Sequence, residues 1–220
     1  MDVHEEFQFN LSNVLLQPER LTAAHYLAYK WVVSRIDALA RPISAMDFGA
    51  RYSLLPSILA LRGHAVVAVD RDPQVGHWQG KYAQEYGVVI DTLNWKPSDG
   101  IAPDLKFDVI TACWAIQHNG LDEQSRIVKT LASALAPGGK LLIVAAFTPD
   151  NACVYETKRE DPLWRLNVDG VDARLVHPSG LKLTNQIFFS YEHNTTTGGF
   201  CDPIAANAVA VELSREVVTE

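Results

Sequence analysis

Residues 45–72 read AMDFGARYSLLPSILALRGHAVVAVDRD, and they divide into strand, tight loop, helix and strand. Residues 45–48 are a short apolar run carrying Asp47, and Gly49-Ala50-Arg51-Tyr52 is the loop. Ser53 is placed to cap a helix over residues 54–62, and Gly63 to close it. Residues 65–69, AVVAV, form a buried-type β run ending on Asp70. An apolar strand, a glycine turn, a helix N-terminus and an acid about 20 residues on form the layout of a nucleoside-binding βαβ unit. The glycine lets the backbone turn and approach a ligand, and the acid can accept from two ribose hydroxyls. A full G-x-G-x-x-G is absent: only Gly49 remains, and Arg51 and Ser53 stand where further glycines would. A plain βαβ core is the competing reading of this stretch.

Composition bounds what surrounds it. At 220 residues the chain suits one domain, with 48% hydrophobic residues and a net charge of −7. No long basic run exists, so nucleic acid and an anionic membrane surface are unexpected partners. The start, MDVHEEFQFN, is acidic and lacks the apolar core of a signal peptide, and no apolar run approaches a membrane span. Cys113, Cys153 and Cys201 form no C-x-x-C pair, which argues against a disulfide framework or a zinc site. A cytoplasmic location and no metal are the expectations.

Outward from residues 45–72, apolar runs and amphipathic stretches alternate. Residues 18–41 predict a helix with Leu21, Ala24, His25, Ala28, Trp31, Val32, Ile36 and Leu39 at helical spacing. Residues 73–86 predict a second helix after the opening unit, and Val88-Val89-Ile90 a third strand ending at Asp91. Residues 95–106 read as loop, and residues 107–113, FDVITAC, as the fourth strand. Asn119 or Asp122 is placed to cap a helix carrying Ile127, Val128 and Leu131, which Pro137-Gly138-Gly139 stops before a fifth strand over residues 141–147. Residues 161–176 predict a helix, residues 195–199 a turn, and residues 183–191 and 206–213 two closing strands. The sum is an α/β fold: a doubly wound, mostly parallel, seven-stranded Rossmann-like sheet with an antiparallel C-terminal edge. Ligands then belong at the C-terminal strand ends, where Asp47, Asp70, Asp91 and Cys113 are expected to face the crevice.

Two further motifs make the reading specific. FDVITACWAIQH over residues 107–118 resembles the fourth-strand motif of class I S-adenosylmethionine-dependent methyltransferases of the small-molecule type. LAPGGKLLIV over residues 135–144 resembles that family's motif before the fifth strand, and the order and spacing from Asp47 through Asp70 and Asp91 match as well. The resemblance covers about residues 45–147 and implies a single methyltransferase domain. Within it, residues 1–42 form an N-terminal helical cap, 43–148 the cofactor-binding core, and 149–220 a substrate-side insert with closing strands.

The resemblance implies S-adenosyl-L-methionine as cofactor, a small-molecule methyl acceptor as partner, and methyl transfer by in-line displacement; a homodimer is compatible with it. Asp47, Gly49 and Ala50 would frame the loop beneath the methionine part. Asp70 would bind the ribose hydroxyls and Arg71 flank the adenine. Asp91 would accept from the adenine amino group, with the Thr92 N–H near a ring nitrogen. Cys113 and Trp114 would border the sulfonium, and His118 the substrate. For an oxygen acceptor, His118 is the first candidate base, with His25 and His177 behind it. Arg51 departs from the family's glycine-rich loop, and would either pair with the cofactor carboxylate or point to solvent. Tyr26, Tyr29, Trp31, Trp114, Trp164, Phe188 and Phe189 are candidates for a flat acceptor pocket, or simply core. A nicotinamide-dependent oxidoreductase and a non-catalytic binding protein remain the alternatives.

Overall fold

The computed structural model describes residues 22–96, 105–157, 162–192 and 198–216. The strands are β1 (Ser44–Phe48), β2 (Ala65–Asp70), β3 (Asp91–Asn94), β4 (Phe107–Cys113), β5 (Leu135–Ala146), β6 (Val154–Glu156), β7 (Leu163–Arg165), β8 (Lys182–Tyr191), β9 (Gly198–Phe200) and β10 (Ala208–Ser214). Eight of them form one sheet in the order β3-β2-β1-β4-β5-β10-β8-β9. Strands β1 to β5 are parallel, and β10, β8 and β9 continue the sheet antiparallel. The sheet is one strand wider than the seven expected, because Gly198–Phe200 pairs with the end of β8. Most of the turn expected at residues 195–199 lies outside the described residues, as do residues 1–21 and most of the loop expected at 95–106.

Helices cover both faces. On one lie α1 (Ala23–Asp37), α2 (Leu55–Leu61) and α3 (Val75–Tyr86), with Trp31, Leu55, Leu59 and Tyr82 packed on Val109, Leu142 and Val144. On the other lies α4 (Leu121–Ser133). Beside it a short α5 (Val168–Val171) runs through a π-helical stretch (Asp172–Val176) into α6 (His177–Ser179). Their Ile127, Leu131 and Leu175 pack on Ile110, Ile143 and Val211. Because β4 and β5 are covered on both sides, their sequences are apolar almost without alternation. The chain reverses its winding at β1, which lies between β2 and β4, and a crevice opens at the C-terminal ends of these three strands.

Several boundaries move. Helix α1 stops at Asp37, short of the Pro42 stop expected from sequence. Gly87 takes the left-handed conformation (φ 65°) after α3, and the Val88 N–H bonds back to Ala83 O at 3.0 Å. Residues 88–90 are consumed in this connection, leaving Val89 83% exposed. The third strand is therefore DTLN, starting at Asp91 rather than ending there, with Asp91 opposite Val67 and Asn94 opposite Asp70. Gly120, not Asn119 or Asp122, is the N-cap of α4. Pro137-Gly138-Gly139 lies inside β5, at the register shift against β4. A Cβ on Gly139 would come within 2.9–3.1 Å of the carbonyls of Ala136, Phe107 and Asp108, so only glycine fits there.

Of the helix expected over residues 161–176, Leu163–Arg165 is instead a strand paired with Val154–Glu156. The Tyr155 and Trp164 rings lie 4.9 Å apart across that pair. Helix begins only after Asn167, whose side chain accepts the Gly170 N–H at 2.8 Å.

Candidate active site

The crevice holds a cavity of about 820 Å³. Its floor is built by the β1–α2 loop. Gly49 takes φ 81°, and both Gly49 and Ala50 donate to Val69 O, at 2.8 and 3.1 Å. A Cβ on Gly49 would stand 2.3 Å from the Ala115 Cβ, so this glycine is required both by conformation and by the close approach of the β4 loop. From below, the buried Gln79 amide donates to Ala50 O at 2.5 Å and Ser53 O at 2.9 Å. Ser53 Oγ accepts the Leu55 N–H at 3.2 Å, although the N-cap position itself falls on Leu54.

Asp70, the last residue of β2, lines the cavity. Its Oδ2 accepts the Arg51 N–H at 3.0 Å and its Oδ1 the Asp72 N–H at 2.8 Å. Each carboxylate oxygen keeps a second lone pair for a ligand hydroxyl. Arg71 also lines the cavity and donates to Asn119 Oδ1 at 3.3 Å, which ties the β2 tip to the turn after β4. Arg51 lines the cavity as well, and its guanidinium pairs with Asp72 at 2.8 Å.

Asp47 is a correction. It is not at the strand tip facing the crevice; it is 1% exposed beneath the floor. Thr111 Oγ1 donates to its Oδ1 at 2.6 Å, and no hydrogen bond reaches its Oδ2. Burial pushes its carboxyl up to about 7, outweighing the Thr111 hydrogen bond that opposes it. Asp91 and Thr92 are also corrected: neither lines the cavity, because the late start of β3 leaves them opposite Val67 and Ala68, below the strand tips. Asn94 holds the tip instead, donating to Asp70 O at 3.0 Å.

The other half of the cavity is aromatic. Cys113 and Trp114 line it at the end of β4. Trp114 takes φ 58° and stands edge-on to Phe189 and Tyr191, with centroids 5.9 and 5.4 Å away. Burial raises the Cys113 thiol pKa well above its ordinary value, so the sulfur is a thiol at neutral pH. Helix α1 contributes His25 and Tyr29. His25 Nδ1 lies 2.9 Å from Thr22 Oγ1, and burial lowers its pKa, which keeps the ring neutral. His118 Nδ1 lies 3.2 Å from Pro162 O. A carbonyl only accepts, so this contact is a hydrogen bond in the tautomer with the proton on Nδ1, the one that leaves Nε2 as the ring's acceptor. His177 lies in α6 and does not line the cavity. Of the aromatic candidates, Tyr29 and Trp114 line it; Tyr26, Trp31 and Phe189 are core, and Phe188 packs against it. Trp164 lines a separate shallow hollow with Asp122 and Arg174.

Sequence reasoning missed Tyr191, Gln117, Asn119, Leu163 and Asp72, all on the cavity wall. Only Asp72 had a local signal, as the second acid of the strand-end Asp70-Arg71-Asp72.

Residues 46–141 match a family model described as a methyltransferase domain. Over that span the chain is similar to methyltransferases. Over 124 residues it is 27% identical to a ubiquinone biosynthesis O-methyltransferase of Xanthomonas axonopodis pv. citri, covering 56% of this chain and 50% of that protein. The chain thus spans about half the length of that relative. Among solved methyltransferases, an S-adenosylmethionine-dependent enzyme of Clostridium acetobutylicum superposes with a TM-score of 0.66 at 9% identity, covering 97% of this chain and 99% of that one. The 1,6-didemethyltoxoflavin-N1-methyltransferase of Burkholderia thailandensis, solved with its acceptor and S-adenosylhomocysteine, gives 0.63 at 14% identity, covering 98% and 84%. At such identities these likenesses speak to the methyltransferase fold, and the chemistry rests on this chain's own residues.

Proposed function

We propose that this methyltransferase moves a methyl group from S-adenosyl-L-methionine to an oxygen of a small-molecule acceptor, with His118 as general base. The observation that carries the reading is Asp70: a strand-tip carboxylate held by two backbone N–H groups at the mouth of a cavity whose floor glycine admits no side chain. The residues fit the cofactor. Asp70 would accept the ribose hydroxyls, Arg71 and Asn119 would border the adenine, and Gly49 and Ala50 would lie beneath the amino-acid portion. Bound there, the cofactor supplies a methyl group already activated on a sulfonium sulfur. Residue roles on the chain's side are positioning and proton handling. Trp114, Tyr191 and Tyr29 would seat a flat acceptor and exclude water, and His118 Nε2 would take the proton of the acceptor hydroxyl. The O-methyltransferase relative supports an oxygen acceptor.

Thermal melting with S-adenosylhomocysteine and NADH in parallel tests this. At 100 times its Kd a ligand adds about 2.7 kcal/mol, roughly 5–10 °C for a chain of this size. A shift with S-adenosylhomocysteine alone is the expected result. A shift with NADH alone would replace the reading with a dehydrogenase, and no shift with either would leave a non-catalytic binding domain.

A further inference from the structure

The β1–α2 loop lacks the later glycines of its family, and the residue at one of those places, Arg51, closes a ring around the ribose acid. The Arg51 backbone N–H donates to Asp70 Oδ2 at 3.0 Å. The Asp72 backbone N–H donates to Asp70 Oδ1 at 2.8 Å. The Arg51 guanidinium then joins these two backbone segments from outside, with Nη1 on Asp72 Oδ2 at 2.8 Å. Its Nη2 reaches Gln74 Oε1 at 3.3 Å, and its plane lies over the Tyr52 ring at 4.3 Å. Asp72 is fixed in turn, since its Oδ1 accepts the Gln74 N–H at 2.8 Å. Two loops from different strands are therefore held at one separation, and the carboxylate between them is held in one orientation. A glycine at position 51 would give the same backbone N–H but no bond to Asp72.

We infer that Arg51 is a positioning residue: its ion pair with Asp72 holds the β1–α2 and β2–α3 loops together and so presents the Asp70 carboxylate to the ribose of the cofactor. The two terminal nitrogens of the guanidinium already serve Asp72 and Gln74, so its proposed task is to hold the loops rather than to clamp the amino-acid carboxylate. This inference rests on the methyl-donor reading above.

The two roles separate with a pair of ligands. S-adenosylhomocysteine carries the amino-acid carboxylate; 5′-methylthioadenosine keeps the ribose and adenine but lacks that carboxylate. Calorimetric titration of the full chain is expected to show Arg51→Ala weakening both by the same factor, about five-fold for a partly exposed pair. Asp72→Asn should give a similar loss, the double variant should lose no more than either single one, and Arg51→Lys should recover part of it. Loss of S-adenosylhomocysteine affinity alone would overturn the inference in favour of a carboxylate clamp. Additive losses in the double variant, or no loss at all, would overturn it too. Should Arg51→Ala fail to fold, Arg51→Gln removes the charge at similar length and carries the same expectation. Failure of the wild-type chain to bind either ligand would instead sink the methyl-donor reading, and this inference with it.

Discussion

Two acids occupy one row of the central sheet and meet opposite fates. Asp47 pairs in register with Thr111, Thr111 with Leu142, and Leu142 with Glu212. Both acids are 1% exposed. Glu212 lies between two cations, accepting from Arg35 of α1 and from Lys140 at 2.8 Å, with Thr184 Oγ1 at 3.1 Å. Burial alone would raise its pKa, but the hydrogen bonds and charges of Arg35 and Lys140 outweigh it and lower the value. Among the described residues Asp47 makes no ion pair, and one of its oxygens has no hydrogen-bond partner, so burial wins and its pKa rises to about 7. A buried acid with cations fastens α1 to the sheet. A buried acid without one is an energetic cost, and it lies directly beneath the cavity floor, where strained electrostatics tend to mark function.

That contrast can be broken from either side. The largest expected effect is on stability at the paired acid. Glu212→Ala leaves two cations facing an apolar sheet and should cost about 4 kcal/mol, seen as a melting point roughly 8–16 °C lower, with S-adenosylhomocysteine affinity retained in the folded fraction. Retained melting would show that the cations are solvated and the network idle. At the cavity the dissociation should invert. Under the proposed function, Asp70→Ala removes two charge-assisted acceptors for the ribose and should weaken S-adenosylhomocysteine binding about 100-fold by calorimetry, with little change in melting. His118→Ala should lower kcat about 100-fold for an acceptor hydroxyl whose pKa lies above the assay pH, and much less for one already ionised. An equal loss on both acceptors would remove His118 as a base.

The smallest effect is a slope. The folded-state pKa of Asp47 stands above the ordinary carboxylate value, so the folded chain binds more protons than the unfolded one between pH 4 and 7. Stability relative to Asp47→Asn should therefore fall as pH rises through that window, by about 1 kcal/mol per pH unit, and level off above it. Asp108 provides the opposite sign on the same molecule. The Arg41 hydrogen bond holds its carboxyl down at about 2, so its contribution is present above pH 4 and is lost as pH falls toward 2. Chemical denaturation across pH, wild type against Asp47→Asn, separates the two windows. A flat difference between pH 4 and 7 would mean that Asp47 is solvated or paired.

How much of this was legible in the chain itself varies by element. The alternation of β runs and amphipathic stretches from residue 45 to 147 was readable because 2-residue and 3.6-residue periods are local properties. β4 begins and ends as read from FDVITAC, and β8 and β10 fall within a few residues of the runs that predicted them. Leu163–Arg165 was misread as helix because its partner strand, not its own composition, makes it β. At the site, Asp70, Gly49, Arg51, Arg71, Cys113, Trp114, His25 and His118 all line the cavity. Tyr191 was invisible, since nothing local marks the end of a strand more than 70 residues after β4 as a neighbour of Trp114.

By itself, the sequence determined the doubly wound layout, the strand tip that carries Asp70, and the glycine at which the floor must turn. Tertiary structure alone decided which acid reaches the crevice and which is buried. Register between strands sets that choice: the late start of β3 takes Asp91 and Thr92 out of the site, and the row through Thr111 holds Asp47 under the floor. It also decided the partner of Arg51, because an arginine side chain pairs with whatever carboxylate the neighbouring loop brings within reach, and here that is Asp72.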